Sequence, residues 1–418
     1  MHQIKILGLV LSSFRLIVTL GNFSYSLCCA MLKRNQSSQL AEQNMTSRRS
    51  LIQGMALAPL VSACSTVPSN SARNFTPSGL PLRRVIVSSD RVIRTIAGSR
   101  PFRPSGFRLE AESFGDKTVI HNYGHGGGGI TLSGGTSYLA MELAQQSSHR
   151  RCAVLGAGAV GLAAARLLQD RGWDVTIYTR DLPPNTTSNI AGGQWSPTSV
   201  YDDDKVTPQF KAQFEAAMRH AYRYFQNLAG PRYGVRWISN YSIASEPPEA
   251  NSFTERYSQM YPELRDLSAT EHPFAADHVL HYNTMLIEPA IYLPAMMQDF
   301  YAAGGEIVIR EFKGQDDALS LSESVLINCT GLGSRKLFPD DELMPIKGQL
   351  SFLLPQEEID YMTVGNGGLY MFPRRDGILL GGTFKRNDWT TTPDPEDTAR
   401  IIAGHTKFFA AMDDPWSH

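Results

Sequence analysis

An α/β fold, with a nucleotide-binding domain and a second domain that covers its ligand, is predicted for this 418-residue chain by three observations. Between Arg151 and Arg180 an apolar strand, a glycine turn, a helix and a second strand follow one another. A second glycine-rich motif, Asn122-Tyr123-Gly124-His125-Gly126-Gly127-Gly128-Gly129, stands upstream of that unit. Downstream of it, short apolar strands alternate with amphipathic helices, a spacing that argues for a nucleotide domain and a covering domain in one chain.

The Arg151 to Arg180 unit carries the strongest argument. Cys152 to Leu155 is a short apolar strand, Leu162 to Arg171 is helical in period, and Asp174 to Tyr178 reads as a second strand. Gly156, Gly158 and Gly161 form the G-x-G-x-x-G turn of a Rossmann-like unit: one glycine for the tight turn, one for close pyrophosphate approach, one for helix–strand packing. Val160 opens the helix, whose unpaired N–H groups and dipole attract the phosphates. Glu306 to Arg310 and Val325 to Asn328 read as further strands, the latter running into Cys329-Thr330-Gly331-Leu332-Gly333. Phe210 to Leu228 and Pro289 to Ala303 read as amphipathic helices, and Leu369 to Pro373 pairs with Ile378 to Gly382 across a hairpin turn.

Composition excludes some functions and leaves others open. Apolar residues make up 42% and charged residues 19%, ordinary for a globular chain, and the formal net charge of -1 gives no electrostatic case for nucleic acid. Cysteines at 28, 29, 64, 152 and 329 show neither metal-type spacing nor a disulfide framework. Residues 1–80 read as a signal and tether region. Thr46-Ser47-Arg48-Arg49-Ser50-Leu51, followed by the apolar run from Met55 to Ala63, resembles a twin-arginine export signal. Val61-Ser62-Ala63-Cys64 resembles a lipoprotein cleavage box, which would make Cys64 a lipid anchor. A bacterial periplasmic or envelope location is the expectation, and a cytoplasmic one if that reading of the N-terminus is wrong.

Several separate blocks resemble the D-amino-acid oxidase family of FAD enzymes, from about residue 85 to the C-terminus. They are Val154 to Leu162, Thr186-Thr187-Ser188-Asn189-Ile190-Ala191-Gly192-Gly193-Gln194-Trp195, Asn328 to Gly331, Lys347-Gly348-Gln349, Tyr370-Met371-Phe372-Pro373-Arg374 and Leu380 to Phe384. In that family an Arg-Pro-x-Arg-Pro block and then Asn-Tyr-Gly-His-Gly-Gly close the chain. Here Arg100-Pro101-Phe102-Arg103-Pro104 and the 122–129 motif precede the nucleotide unit, each once, which looks like a circular permutation. A helix from Thr131 to Gln145 would return the chain to the first strand, with residues near 90 and near 415 adjacent. The implied organisation is a permuted segment with a substrate arginine at 81–121, an FAD-binding core at 122–200, a mixed-sheet cap at 201–281 and 346–418, and a second FAD-binding part at 282–345.

The resemblance also implies a site. Arg100 matches the arginine that clamps the substrate carboxylate, Tyr370 a tyrosine bonded to the same carboxylate, and Gly127 the residue whose carbonyl receives the substrate amine. Gly126, Gly128, Gly129, Ile130 and Thr131 follow the isoalloxazine, with Gly192, Gly193 and Gln194 on its other side. Thr186, Thr187 and Ser188 lie along the pyrophosphate, and Arg180, Phe312, Thr330 and Gly331 along the adenosine half. His125 reads as a structural histidine. Three positions depart from the family pattern: Arg180-Asp181 stands where a ribose-binding acid is expected, Asn366 where a second tyrosine is, and Gly134 where a bulkier residue, commonly Trp, is.

The implied function is hydride transfer from a D-amino acid to FAD, with reoxidation by oxygen or an electron carrier. The alternatives are an oxidase or dehydrogenase of glycine or N-substituted amino acids, and a flavin-binding protein without turnover.

Overall fold

The computed structural model describes residues 82–413 apart from Pro248 and Asn366. The expectations placed on residues 1–80, the twin-arginine pattern and Cys64 among them, and on Asn366 lie outside the described residues.

The nucleotide-binding layer is a six-stranded sheet in the order β2-β3-β10-β4-β5-β9. Its strands are β2 (Arg108–Phe114), β3 (Lys117–Tyr123), β4 (Arg151–Leu155), β5 (Asp174–Thr179), β9 (Glu306–Ile309) and β10 (Val325–Asn328). All neighbours are parallel except β2 with β3. β4 and β10 are apolar runs without alternation, as strands covered on both faces must be, and all four of Cys152, Val154, Leu326 and Ile327 are fully buried. β3 was not among the expected strands, and it pairs along β10 from Thr118↔Val325 to His121↔Asn328. The segment upstream of the glycine unit thus supplies two strands of that unit's sheet.

Among the described residues, five helices of eleven residues or more cover the sheets: α1 (Gly129–Gln145), α2 (Ala159–Gln169), α3 (Pro208–Asn227), α4 (Pro289–Ala302) and α5 (Pro395–Ala410). α1 starts two residues before the expected Thr131, and only residues 146–150 separate its end from β4. α1 packs against α2 and α3 very closely. A Cβ on Gly135 would stand 1.8 Å from the Ala217 carbonyl, so small residues on α1 set how near α3 can come.

The second sheet has nine strands in the order β1-β11-β14-β13-β12-β6-β8-β7, with β15 (Lys385–Arg386) also on β11. Its other members are β1 (Val92–Phe102), β6 (Val235–Ala244), β7 (Arg265–Leu267), β8 (His278–Ile287), β11 (Met344–Leu353), β12 (Tyr361–Gly365), β13 (Leu369–Arg374) and β14 (Gly377–Gly381). Three expected domain boundaries need correction. Those at 121/122, 281/282 and 345/346 fall inside β3, β8 and β11. A strand paired along its whole length moves as a unit, and β8 pairs with β6 from Val235↔Ile287 to Ala244↔His278. α3, expected in the cap, shares the core of the nucleotide layer through Phe214, Ala217 and Met218.

The first and last described stretches adjoin. Arg84 Nη2 donates to Met412 O at 2.8 Å and Thr406 Oγ1 to Val87 O at 3.4 Å.

Candidate functional site

A cavity of about 1020 Å³ runs between the two sheets. At one end Gly156, Gly158 and Val160 meet Thr186, Thr187 and Ser188, with Arg180, Phe312, Thr330 and Gly331 beyond them. At the other, Gly126, Gly127, Gly129, Ile130 and Thr131 face Gly192, Gly193 and Gln194, and Arg100 and Tyr370 line the far wall. Residues from β1, the upstream glycine motif, the glycine unit, the 186–194 block and β13 are thus brought to one space.

Two expected members do not line it. Gly161 packs instead: a Cβ there would stand 1.9 Å from the Gly156 carbonyl, which is the helix-to-strand contact assigned to the third glycine of the turn. Gly128 is buried against Val200, whose Cγ2 would lie 2.7 Å from an added Cβ.

The nucleotide end is a cradle of backbone. Gly156 adopts φ +104°, which side-chain-bearing residues rarely reach, and a Cβ would collide with the Cys329 carbonyl at 2.7 Å. α2 starts directly after Gly158, so its free N–H groups face the cavity. Ser188 Oγ accepts from one of them, Ala159 N, at 3.0 Å. Arg180 and Asp181 pair with each other at 2.7 Å on the cavity rim, while Tyr178 and Phe312 form an edge-to-face pair beside them.

At the other end the strands present two polar side chains over bare backbone. Arg100 lies on β1 and Gly348 on β11, and a Cβ at 348 would stand 2.6 Å from Arg100 Nη2. The Tyr370 ring likewise crosses Gly381 of β14, where a Cβ would meet Cζ at 2.0 Å. Arg100 Nη1 donates to Thr383 O at 3.4 Å, and the guanidinium stands 6.0 Å from the Phe384 ring centroid. Among the described residues Arg100 has no carboxylate partner. Of the other lining cations, Arg180 pairs with Asp181, Arg310 with Asp317, and Lys385 and Arg400 with Asp397, while Lys336, exposed at the rim, has no carboxylate partner among the described residues.

His125 is a structural residue. It is 2% exposed, stacks on Phe107, and its Nε2 meets Thr136 Oγ1 at 2.9 Å. Burial pushes its pKa down to about 3, so the ring is neutral at pH 7. Burial also pushes the Cys329 thiol up. At Gly134 the expected bulk comes from another element: the Tyr224 ring of α3 lies where a Cβ would be, with Cδ1 2.3 Å away.

Sequence reading missed the segment after Trp195. Ser196, Thr198 and Ser199 line the cavity, and Thr131 Oγ1 accepts from Ser196 N at 3.1 Å while donating to Ser196 O. Small polar residues in a loop carry no local signal that could have marked them. The rim group of Lys385 on β15 with Asp397 and Arg400 on α5 was missed too, since only the tertiary structure brings β15 to α5.

Comparison with known proteins bears directly on this site. The model of the DAO family, FAD dependent oxidoreductase, matches residues 151–417. A D-amino-acid oxidase from Streptomyces coelicolor is 32% identical over 254 residues, 60% of this chain and 74% of its own length. A D-amino acid oxidase from Dugesia ryukyuensis is 30% identical over 261 residues, 60% of this chain and 75% of its own. Among solved structures, glycine oxidase from Bacillus cereus matches with a TM-score of 0.48 and 16% identity over 63% of this chain and 79% of that one. FAD suits the cavity found here: Gly156, at positive φ, and Gly158 line it with bare backbone at the N-terminus of α2, with room beyond for the rest of the cofactor. With the family model matching more than half of its residues, the chain belongs to the DAO family of FAD-dependent oxidoreductases.

Proposed function

We propose that the protein oxidises a D-amino acid by hydride transfer from Cα to FAD, with oxygen as the final acceptor. The observation that carries this reading is Arg100, a half-buried guanidinium in the cavity wall with no carboxylate partner among the described residues. An unpaired cation facing a low-dielectric space is expensive. A substrate carboxylate, gripped in a bidentate pair, would offset that cost and fix the substrate's orientation.

The family resemblance supplies the roles in this reading. Arg100 and the Tyr370 hydroxyl hold the carboxylate at one end, and the carbonyl of Gly127 receives the amine at the other, so that Cα–H is aimed at the cofactor ring. FAD held along this cavity would supply a two-electron acceptor for the Cα hydride, with oxygen, two electrons and two protons giving hydrogen peroxide. The imino acid takes up water and separates into the keto acid and ammonia. α1 starts at Gly129, and its N-terminal dipole favours negative charge on the ring. His125 takes no part as a base, because its ring is buried, neutral and bonded to Thr136.

Anaerobic bleaching of the bound flavin by a panel of D-amino acids tests the reading without assuming an acceptor. Bleaching by D-amino acids followed by rapid reoxidation in air is the expected result. Bleaching by glycine or N-substituted amino acids alone, or slow reoxidation in air that a carrier relieves, would replace it with the corresponding oxidase or dehydrogenase.

We further infer that the chain order is circularly permuted relative to the family. Support comes from the family match starting at residue 151, from relatives aligned over about three-quarters of their length, from β1, β2 and β3 entering both sheets, and from the Arg84–Met412 bond.

A further inference from the structure

Ser199 is one of four non-glycine residues among those described with positive φ, at +55°. Two others, Asn251 and Glu263, lie outside the cavity lining, as does Asn387, whereas Ser199 lines the cavity and is exposed to it. A left-handed serine is costly for an L-residue, and such conformations persist where the surroundings over-determine them.

The surroundings do so here. Ser199 O accepts the Gly127 N–H at 2.8 Å, and the same carbonyl lies 2.3 Å from where a Cβ on Gly126 would stand. The chain is anchored on both sides of it. Before Ser199, Ser196 is doubly bonded to Thr131 Oγ1; after it, Val200 is 1% exposed against Gly128. Asp202 N donates to Pro104 O at 2.9 Å, and the Asp202 carboxylate takes both Arg386 nitrogens at 2.6 and 2.8 Å. Residues 196–202 therefore form a strap fastened to α1, to the stretch following Arg100 and to β15. The one place where it must bend against its intrinsic preference is the residue whose carbonyl grips the Gly126–Gly127 backbone.

We propose that Ser199 is a positioning residue: its left-handed backbone aims its carbonyl at Gly127 N–H and so sets the glycine edge along which the flavin ring and the substrate amine lie. The inference rests on the reading of Gly127 as the amine acceptor. What matters is the backbone conformation of residue 199; its hydroxyl takes no part in the chemistry.

The test compares Ser199→Gly and Ser199→Asn, which tolerate positive φ, with Ser199→Val, which resists it. All three are read in the FAD-loaded protein by the visible bands of the flavin and by the limiting rate of anaerobic flavin reduction. Glycine and asparagine variants should stay within about twofold of wild type, and the valine variant should fall by on the order of tenfold or more, as misplacement of reacting groups does. The valine variant should also shift the flavin bands, a readout that needs no substrate. A valine variant with wild-type bands and rate, or a loss in the glycine and asparagine variants as large as in valine, overturns the proposal. If no amino acid reduces the wild-type flavin, the functional reading fails, and the band shift still decides the role of Ser199. Since the Ser199 side chain is exposed, none of the three changes alters the core, and a valine variant unable to hold FAD beside a normal asparagine variant counts as support.

Discussion

The guanidinium of Arg100 lies flat over the backbone of Gly348 on the neighbouring strand, Nη2 standing 2.6 Å from where a Cβ would be. Arg100 pairs in register with Ile346 and Gly98 with Gly348, so the side chain runs back along the sheet across a bare glycine. Gly348→Ala should displace the guanidinium and leave the nucleotide cradle untouched. We expect the KM for the amino acid to rise on the order of tenfold with flavin content unchanged, the signature of lost substrate binding. Arg100→Ala should lower kcat/KM further, with a loss of about 2–5 kcal/mol of transition-state stabilisation, the usual result of truncating one partner of a buried charge pair. Steady-state kinetics on flavin-normalised enzyme check both.

Gly134 and Tyr224 share one space. The Tyr224 ring fills the volume beside Gly134, and its hydroxyl meets that of Tyr292 at 3.2 Å. Gly134→Trp alone should therefore overpack the α1–α3 contact and cost about 1–3 kcal/mol. Combined with Tyr224→Ala the cost should shrink by more than additivity allows. Thermal melts of the two single variants and the double variant measure the coupling; strictly additive losses would separate the two positions.

His125 makes stability depend on pH. Its folded pKa of about 3 lies below the ordinary value of 6.5, so between those values the unfolded chain holds the extra proton and the folded state loses stability as pH falls. From pH 7 to pH 5 this amounts to about 2 kcal/mol. His125→Gln should show a shallower decline of Tm over that interval, even if its Tm at pH 7 is lower. Parallel slopes for the two proteins would mean that other groups control the acid side.

The adjacency of Arg84 and Met412 permits a rearranged chain. A protein starting at residue 151, running to 413, and joined by a short linker to 82–146 should fold and bind FAD with an unchanged visible spectrum, because every pairing in both sheets is retained. Loss of FAD from a folded rearranged protein would count against the permutation.

Arg151 to Arg180 was legible because its information is local: an apolar strand, three glycines at fixed spacing and a helical period each state their own structure. The hairpin at 369–381 and the helices near 208 and 289 were legible for the same reason. Arg100 and Tyr370 stood out only through resemblance, since an arginine and a tyrosine in strands carry no local mark of a site. β3, by contrast, joined the nucleotide sheet through its partner β10, far along the chain, a pairing that no local pattern announces.

By itself, then, the amino-acid order determined the glycine turn between strand and helix and the period of the main helices. Tertiary structure alone decided that Arg100 lies bare over Gly348, that Tyr224 fills the gap at Gly134, and that Ser199 turns left-handed to hold Gly127. The physical reason is range. Backbone propensity and periodicity act between neighbours in the chain, whereas a vacant charge, a shared volume and a strained carbonyl exist only once distant strands and loops have met.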